Sequence, residues 1–498
     1  MNTLRLFLGL LLGLLAIANA TGNGFKTPSQ ARNFTLPTTY AELKQFIRAT
    51  SHQSPLWEYE VLGKSVEGRE IFVVRTISSK PSMTGERLRI LIFSQQHGNE
   101  QSTKEAALLL IAQIANGKHP HWLRNADLWI IPQVNPDASE VNQRRNAQDL
   151  DLNRDHVLLQ SPEVVALHEL FHRIKPHVTV DVHEYQPYRP SWADFGGFKF
   201  FDVQVGILTN PNVSQGIRDY SLRVGLTAIE NSLVDAGFSF HNYLIGPAPN
   251  EGLTRFSTVN INDGRQGLGI MGGMSFIYEG INGRDNFAHN LDRRTISQTL
   301  ALEALVDRLV TDNRTVIRLV ERSRQRLNRG RLGSVAIRMD HFRDNNPLML
   351  PLLSSKTGKD TLAVVENFYP VVRPTLSVEA PKGYLVPKND TILVELLRRH
   401  KILLLDEKPR NSRVYGYTIT ENRVVEAESS ENAFPQVQRF RLPQPPSITN
   451  YFFVPLTQLK SLFLVLILEP QSQIGLAQYE QFQYLFRVGE KFPILRVE

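Results

Sequence analysis

The 498-residue chain carries 56 Lys and Arg against 49 Asp and Glu, a formal net charge of +7, and contains no cysteine. Disulfides and thiolate chemistry are excluded, and the arginines are scattered with no basic block or basic-aromatic alternation, so nucleic acid is not implied. The length suggests two or three domains whose stability rests on ordinary hydrophobic cores.

Arg5, the apolar run 6–18 and the small residues Ala18, Asn19 and Ala20 have the pattern of a secretory signal over residues 1–20. The expected mature chain starts near Thr21 and is exported, to a periplasm or outside the cell. The run is shorter than the roughly 20 apolar residues of a membrane span, and no later stretch is a better candidate. A helix is expected over 40–50, then strands over 57–62 and 70–77 around the turn Glu67-Gly68. From there strands at 88–93, 128–134, 177–182 and 274–278 alternate with helices at 105–115, 162–174 and 221–236. Several strands are continuous apolar runs, as in sheets covered by helices on both faces, so the expectation is a three-layer α/β domain over residues 21–330. A helical stretch from 295 to about 328, interrupted near Asp312-Asn313-Arg314, closes it. Residues 331–498 change texture to short β-rich runs, among them 361–365, 414–419 and 451–454, with one helix over 390–400. The apolar stretch 462–468 reads as a buried strand, and the whole region as a mostly β C-terminal domain.

Ligands of open α/β sheets sit beyond the carboxyl ends of the strands, and four strand ends here carry chemistry. His97-Gly98-Asn99-Glu100 follows the first, Asn135-Pro136-Asp137 the next, His183-Glu184-Tyr185 the third and Glu279-Gly280 the fourth. Two His and one Glu are a ligand set that holds catalytic zinc with a position left open, so His97, Glu100 and His183 are the expected ligands of one Zn2+. Glu279 is the natural proton carrier beside them. Between these motifs, the stretch 144–155 offers guanidinium and amide groups suited to a carboxylate or an oxyanion; its arginines could equally pair with Asp149, Asp151 and Asp155. A rival motif, His168-Glu169-Leu170-Phe171-His172, is a literal H-E-x-x-H of the zincin kind on a helix. Its helix body lies away from the carboxyl edge, and Leu167, Leu170 and Phe171 are expected in the core with the His pair at the surface or helix margin.

In order, His97-Gly98-Asn99-Glu100, Asn135-Pro136-Asp137, Asp151-Leu152-Asn153-Arg154, Asp181-Val182-His183 and Tyr278-Glu279 resemble the motifs of the zinc carboxypeptidase family, of the carboxypeptidase A-like type. The segment Gly63 through Arg69 is similar to that family's lead-in strand pair, and the resemblance covers roughly residues 40–324. It implies a mixed central sheet between helices, zinc on His97, Glu100 and His183, and Glu279 as general base and acid. It further implies that Asn153 and Arg154 hold the substrate's terminal carboxylate while Arg144 polarises the scissile carbonyl. Residues 257–269 lack the substrate-capping Tyr of such enzymes; Arg265 is the candidate charged contact in its place, and Glu184 adds charge beside the last ligand. The reading is an exported metallocarboxypeptidase acting on a peptide or cell-wall peptide. Its alternatives are a deacylase of N-acyl amino acids on the same fold, a silent binding protein, and an H-E-x-x-H protease.

Overall fold

The computed structural model describes residues 24–78, 85–409, 412–427, 430–444 and 446–498, so the expected signal segment lies outside the described residues. Its centre is an eight-stranded mixed sheet. The strands are β1 (Trp57–Lys64), β2 (Glu70–Thr76), β3 (Leu88–Ser94), β4 (Ala126–Ile131), β5 (Val178–Tyr185), β6 (Val203–Gly206), β7 (Phe240–Asn242) and β8 (Met274–Ile281), in spatial order β1-β2-β4-β3-β5-β8-β6-β7. The strand pairs β4-β3, β3-β5 and β5-β8 are parallel, so their carboxyl ends meet along one edge.

Both faces of these strands are buried, which is why they read as unbroken apolar runs: all eight residues of β8 are inaccessible. One face is covered by α1 (Tyr40–Gln53), α2 (Gln101–Ala115) and α5 (Leu291–Thr311), through a core that includes Ile47, Ile90, Ile92, Leu108, Leu110, Leu302 and Leu305. The other is covered by α3 (Pro162–Ile174), whose Val164, Leu167, Leu170 and Phe171 pack on Leu91, Phe93 and Ile131. Ser161 caps α3 by accepting from the Val164 amide, and Pro162 occupies its first turn. The expected helix over 221–236 is α4 (Thr227–Asp235), entered through a π-helical turn at Ser221–Leu226. The long closing helix breaks at Asp312 as expected, into α5 and α6 (Asn313–Asn328).

Two short strands, β6 and β7, were not anticipated, and His183 and Glu279 lie within the last three residues of β5 and β8 rather than after them. The C-terminal region forms β9 (Ser334–Phe342) paired with β12 (Val371–Glu379), the hairpin β10 (Leu348–Ser354) and β11 (Asp360–Val365), and a five-stranded antiparallel sheet. Residues 462–468 correct the expectation of a strand: Ser461–Leu468 is a helix with every residue buried. A seven-residue apolar run, 462–468, carries no period to separate strand from helix, and the Glu469-Pro470 step ends it where a proline ends a helix. Among the described residues, no helix is long and apolar enough to cross a membrane.

Candidate metal and catalytic site

At the carboxyl edge of β3 the chain reverses through His97-Gly98-Asn99-Glu100, with the Glu100 amide donating to the His97 carbonyl at 3.2 Å. Gly98 is required there, because a Cβ would lie 2.2 Å from the Ala138 carbonyl carbon. Asn135 holds the neighbouring turn, donating from Nδ2 to the Gln96 carbonyl at 3.1 Å and accepting from the Ala138 amide. Asp137 accepts from Ser65 Oγ at 2.7 Å, the Glu67 amide at 2.9 Å and Arg69 Nη1 at 2.8 Å, tying the β1-β2 turn to the same edge.

His97 Nδ1 stands 2.7 Å from Glu100 Oε1, His183 Nδ1 2.9 Å from Glu100 Oε2, and the two Nδ1 atoms are 3.1 Å apart. The three side chains are buried and form a group able to hold a metal ion. Each imidazole is backed by a carboxylate on its other nitrogen: His97 Nε2 by Asp151 at 3.0 Å, His183 Nε2 by Asp181 at 2.8 Å. Such backing turns the Nδ1 lone pairs toward a common cation. The electrostatics agree. Burial alone would lower His183 and raise Glu100, yet Asp181 and Glu100 pull the imidazole well above its ordinary pKa while His97 and His183 hold Glu100 below its own. The cluster therefore draws positive charge, and its donor set suits zinc.

Glu279 sits opposite His183 in the β5-β8 register. Burial pushes its carboxyl above the usual range, offset in part by His183 and by a hydrogen bond with Tyr243. Arg144 lies beside the ligands but is occupied, donating from Nη2 to Asp151 Oδ2 at 2.9 Å, with Nη1 3.3 Å from His97 Nδ1. Asn153 is buried, its Nδ2 3.2 Å from His183 Nε2 and its Oδ1 accepting from the Gly264 amide at 2.7 Å. Arg154 is exposed at the mouth, with Nη1 donating to the Asn153 carbonyl at 2.7 Å. Arg265, fully buried, bonds Ser257 and lies 3.3 Å from Asp263 Oδ2, its guanidinium 5.9 Å from the centre of the Tyr243 ring. His97, Glu100, Glu279, Arg144, Asn153, Arg154, Arg265 and Tyr243 line one cavity of about 440 Å³, with Tyr185 and Ile277 also in its wall.

Glu184 does not leave a charge beside the metal position: Arg294 pairs with both its oxygens at 2.8 and 2.9 Å, and Ser102 donates to it at 2.6 Å. Tyr243 is the residue missed by sequence reasoning. It comes from just after β7, outside 257–269, and is placed at this wall by the bond from its amide to the Val205 carbonyl at 3.0 Å and by the bond its own carbonyl accepts from the Ser257 amide at 3.3 Å. The rival motif is not assembled. His168 is buried rather than marginal, its Nε2 3.0 Å from His156 Nδ1, while Glu169 turns outward to Lys401. Helix α3 lies under the sheet, so its inward face becomes core.

The family model described as zinc carboxypeptidase matches residues 43–188, a stretch that contains His97, Glu100, Arg144, Asn153, Arg154 and His183 and ends before Glu279. Carboxypeptidase 2 of Trichophyton rubrum is 25% identical over 384 residues, covering 72% of this chain and 68% of that protein. The zinc carboxypeptidase of Saccharothrix mutabilis subsp. capreolus is 31% identical over 109 residues, 21% of this chain and 24% of its own. Among solved structures, a metallo-carboxypeptidase from Burkholderia cenocepacia aligns over 55% of this chain and 70% of its own, with 20% identity and a TM-score of 0.43.

Proposed function

We propose that this chain is a member of the zinc carboxypeptidase family and an exported metallocarboxypeptidase that hydrolyses an amide bond near a free carboxylate of a peptide or peptidoglycan stem. The observation that carries the reading is the convergence of His97 Nδ1, His183 Nδ1 and the Glu100 carboxylate within 3.1 Å of one another, with Glu279 opposite His183. Held by those three residues, zinc supplies Lewis acidity to the reacting water and carbonyl.

The remaining work belongs to the chain. Glu279, buried with its carboxyl pushed up, takes a proton from the attacking water and returns it to the leaving amine. The Tyr243 hydroxyl keeps that carboxylate turned toward the ligands. Arg144, 3.8 Å from Glu100 Oε1 at its nearest, is placed to polarise the scissile carbonyl once substrate competes with Asp151 for its donors. Arg154 at the mouth and Asn153 below it offer a terminal carboxylate its counter-charge and an amide donor. Arg265 lies further along the same wall, within reach of a substrate side chain.

Zinc-loaded protein assayed side by side on C-terminal peptides, muropeptides and N-acyl amino acids is expected to release terminal residues from one of the first two sets; turnover confined to N-acyl amino acids would establish the deacylase instead. Glu279→Gln is expected to keep its zinc and lose at least about a hundredfold in kcat, within the range for positioned acid-base groups. Full activity in that variant would remove Glu279 from its role.

A further inference from the structure

We propose that the chain holds a second, structural transition-metal ion on His119, His121 and Asp307, remote from the catalytic cluster. His119-Pro120-His121 lies in the loop after α2, and Glu303 and Asp307 stand four residues apart on α5, on the face turned to that loop. Helix α2 starts just after Glu100, at Gln101, and runs 15 residues away from it, so its far end is about 22 Å from Glu100.

Ligating atoms of His119, His121 and Asp307 all lie within 4.8 Å of one another. His121 Nε2 is 2.8 Å from Asp307 Oδ1, and His119 Nδ1 is 3.9 Å from the same oxygen. The other nitrogen of His119, Nε2, lies 3.0 Å from Glu303 Oε1. With its proton engaged there, the ring presents the Nδ1 lone pair toward Asp307. This is the arrangement seen at the catalytic cluster, where Asp151 and Asp181 back His97 and His183. Lys118 Nζ contacts Glu303 Oε1 at 2.6 Å, so it neutralises the backing carboxylate rather than the ligand.

Two further features mark the loop as built for this geometry. His119 adopts φ of 58°, a left-handed conformation that non-glycine residues rarely adopt and that persists where surroundings enforce it. Its ring is stacked on Trp122, centroids 4.0 Å apart and 6° from parallel, while the Trp122 indole NH donates to Asp307. The ring plane and the carboxylate are thus both fixed. The side chains of His121 and Asp307 are 45% and 46% exposed, which leaves an approach for an ion from solvent. Two imidazoles and one carboxylate suit Zn2+ or Cu2+ rather than Ca2+ or Mg2+. A similar group, Glu86, His177 and Glu321, lacks this character, since the Arg89 guanidinium lies 3.0 Å from His177 Nε2. The bound ion would clamp the exit of α2 to α5.

The test uses the full chain, dialysed against micromolar zinc and desalted, with metal counted by mass spectrometry. Wild type is expected to carry two zinc ions per chain. His121→Ala and Asp307→Asn, the latter keeping an acceptor for Trp122, should each carry one, with peptide hydrolysis within twofold of wild type and a lower Tm in zinc. His97→Ala/His183→Ala should also carry one zinc and be inactive, and its Cu2+ complex should show hyperfine coupling to two imidazole nitrogens. One zinc in wild type, unchanged in His121→Ala, would overturn the second site and leave the catalytic one standing. Loss of activity in His121→Ala with both ions retained would overturn it as well.

Discussion

The candidate site depends on residues that never meet the metal. Asp151 and Asp181 hold the proton side of the two imidazoles, and Gln96 Nε2 donates to Asp181 at 2.9 Å while its Oε1 lies 2.9 Å from His156 Nε2. Asp181→Asn removes the charge that fixes His183 without changing the shape of a buried side chain, so zinc affinity is expected to fall about 10- to 100-fold with the circular dichroism unchanged. Chelator competition measures it; an unchanged affinity would mean that Asp181 serves packing alone. Tyr243→Phe leaves the ring and deletes the hydrogen bond to Glu279, a charge-assisted bond whose loss costs about 1.5–3 kcal/mol. Turnover is therefore expected to fall roughly 10- to 100-fold with zinc retained; equal loss of zinc would place the effect at the ligands. His97, Glu100, His183 and Glu279 were legible in the sequence because strand ends announce themselves and residue type does the rest. Tyr243 was not, since the path from β7 through residues 257–263 has no period and its course is set by contacts with β6. The charge expected from Glu184 also could not be judged from sequence, because its partner Arg294 is 110 positions away.

At the scale of elements, α3 shows how a motif can be spent on structure. His168 and His172 lie on it, His156 precedes it, and His400 meets His168 from the C-terminal region with ring centroids 5.8 Å apart. His400 Nε2 is 2.7 Å from the Val157 carbonyl, and its Nδ1 is 3.0 Å from Lys460 Nζ. Burial pushes these imidazoles down: His156 to about 4 against the pull of Asp181 and Asp263, His172 to about 3 with Lys460, Lys401 and Lys175 adding to it, and His168 and His400 well below the ordinary value. A histidine whose folded pKa lies below its unfolded value near 6.5 takes up its proton more readily unfolded. Its stabilisation is complete above pH 6.5 and is lost as pH falls from there to about 4 for His156 and about 3 for His172. Urea midpoints are therefore expected to drop between pH 7 and pH 4.5, and His172→Gln should lessen the drop; the same slope in wild type and variant would contradict the assignment. The long strands and the amphipathic α1 and α3 were readable from their periods. Ser461–Leu468 was not, because an element buried on all sides has no polar face to set one, and β6 and β7, at four and three residues, are too short to show alternation.

Across the whole molecule, the C-terminal region keeps one small cluster of its own, Leu385, Val414, Phe453, Leu495 and Val497, and shares the main core with the sheet domain. One contiguous cluster of buried apolar side chains runs from Leu43, Ile90 and Leu305 in the sheet domain to Ile337, Tyr384, Phe463 and Ile494 beyond residue 330. A separate cluster lies beside the segments that line the candidate cavity. Leu350, Leu352 and Val365 of the β10-β11 hairpin, with Phe368 just beyond it, pack on Trp192, Phe201, Leu244 and Ala248. Leu353 and Ser354 of β10 also pair with Gly197–Phe198, and across the same seam the Thr254 amide donates to the Asn367 carbonyl and the Tyr369 amide to the Thr254 carbonyl, each at 2.8 Å. The segments braced in this way carry Arg189, Tyr243 and Thr258 to the cavity, whereas the candidate ligands His97 and Glu100 lie in the turn between β3 and α2, and His183 on β5. The hairpin is thus placed to stiffen the substrate wall and not the metal cluster. Excision is clean, because Phe342 of β9 and Val371 of β12 are already paired across the two strands, and an Asn-Gly turn can join them in place of residues 343–370. The excised protein is expected to fold, to bind zinc with unchanged affinity, and to raise KM about tenfold or more while kcat changes less, since a loosened wall weakens positioning more than proton transfer. KM within twofold of wild type would show that the wall stands without its brace; loss of zinc would show that the hairpin supports the ligands after all.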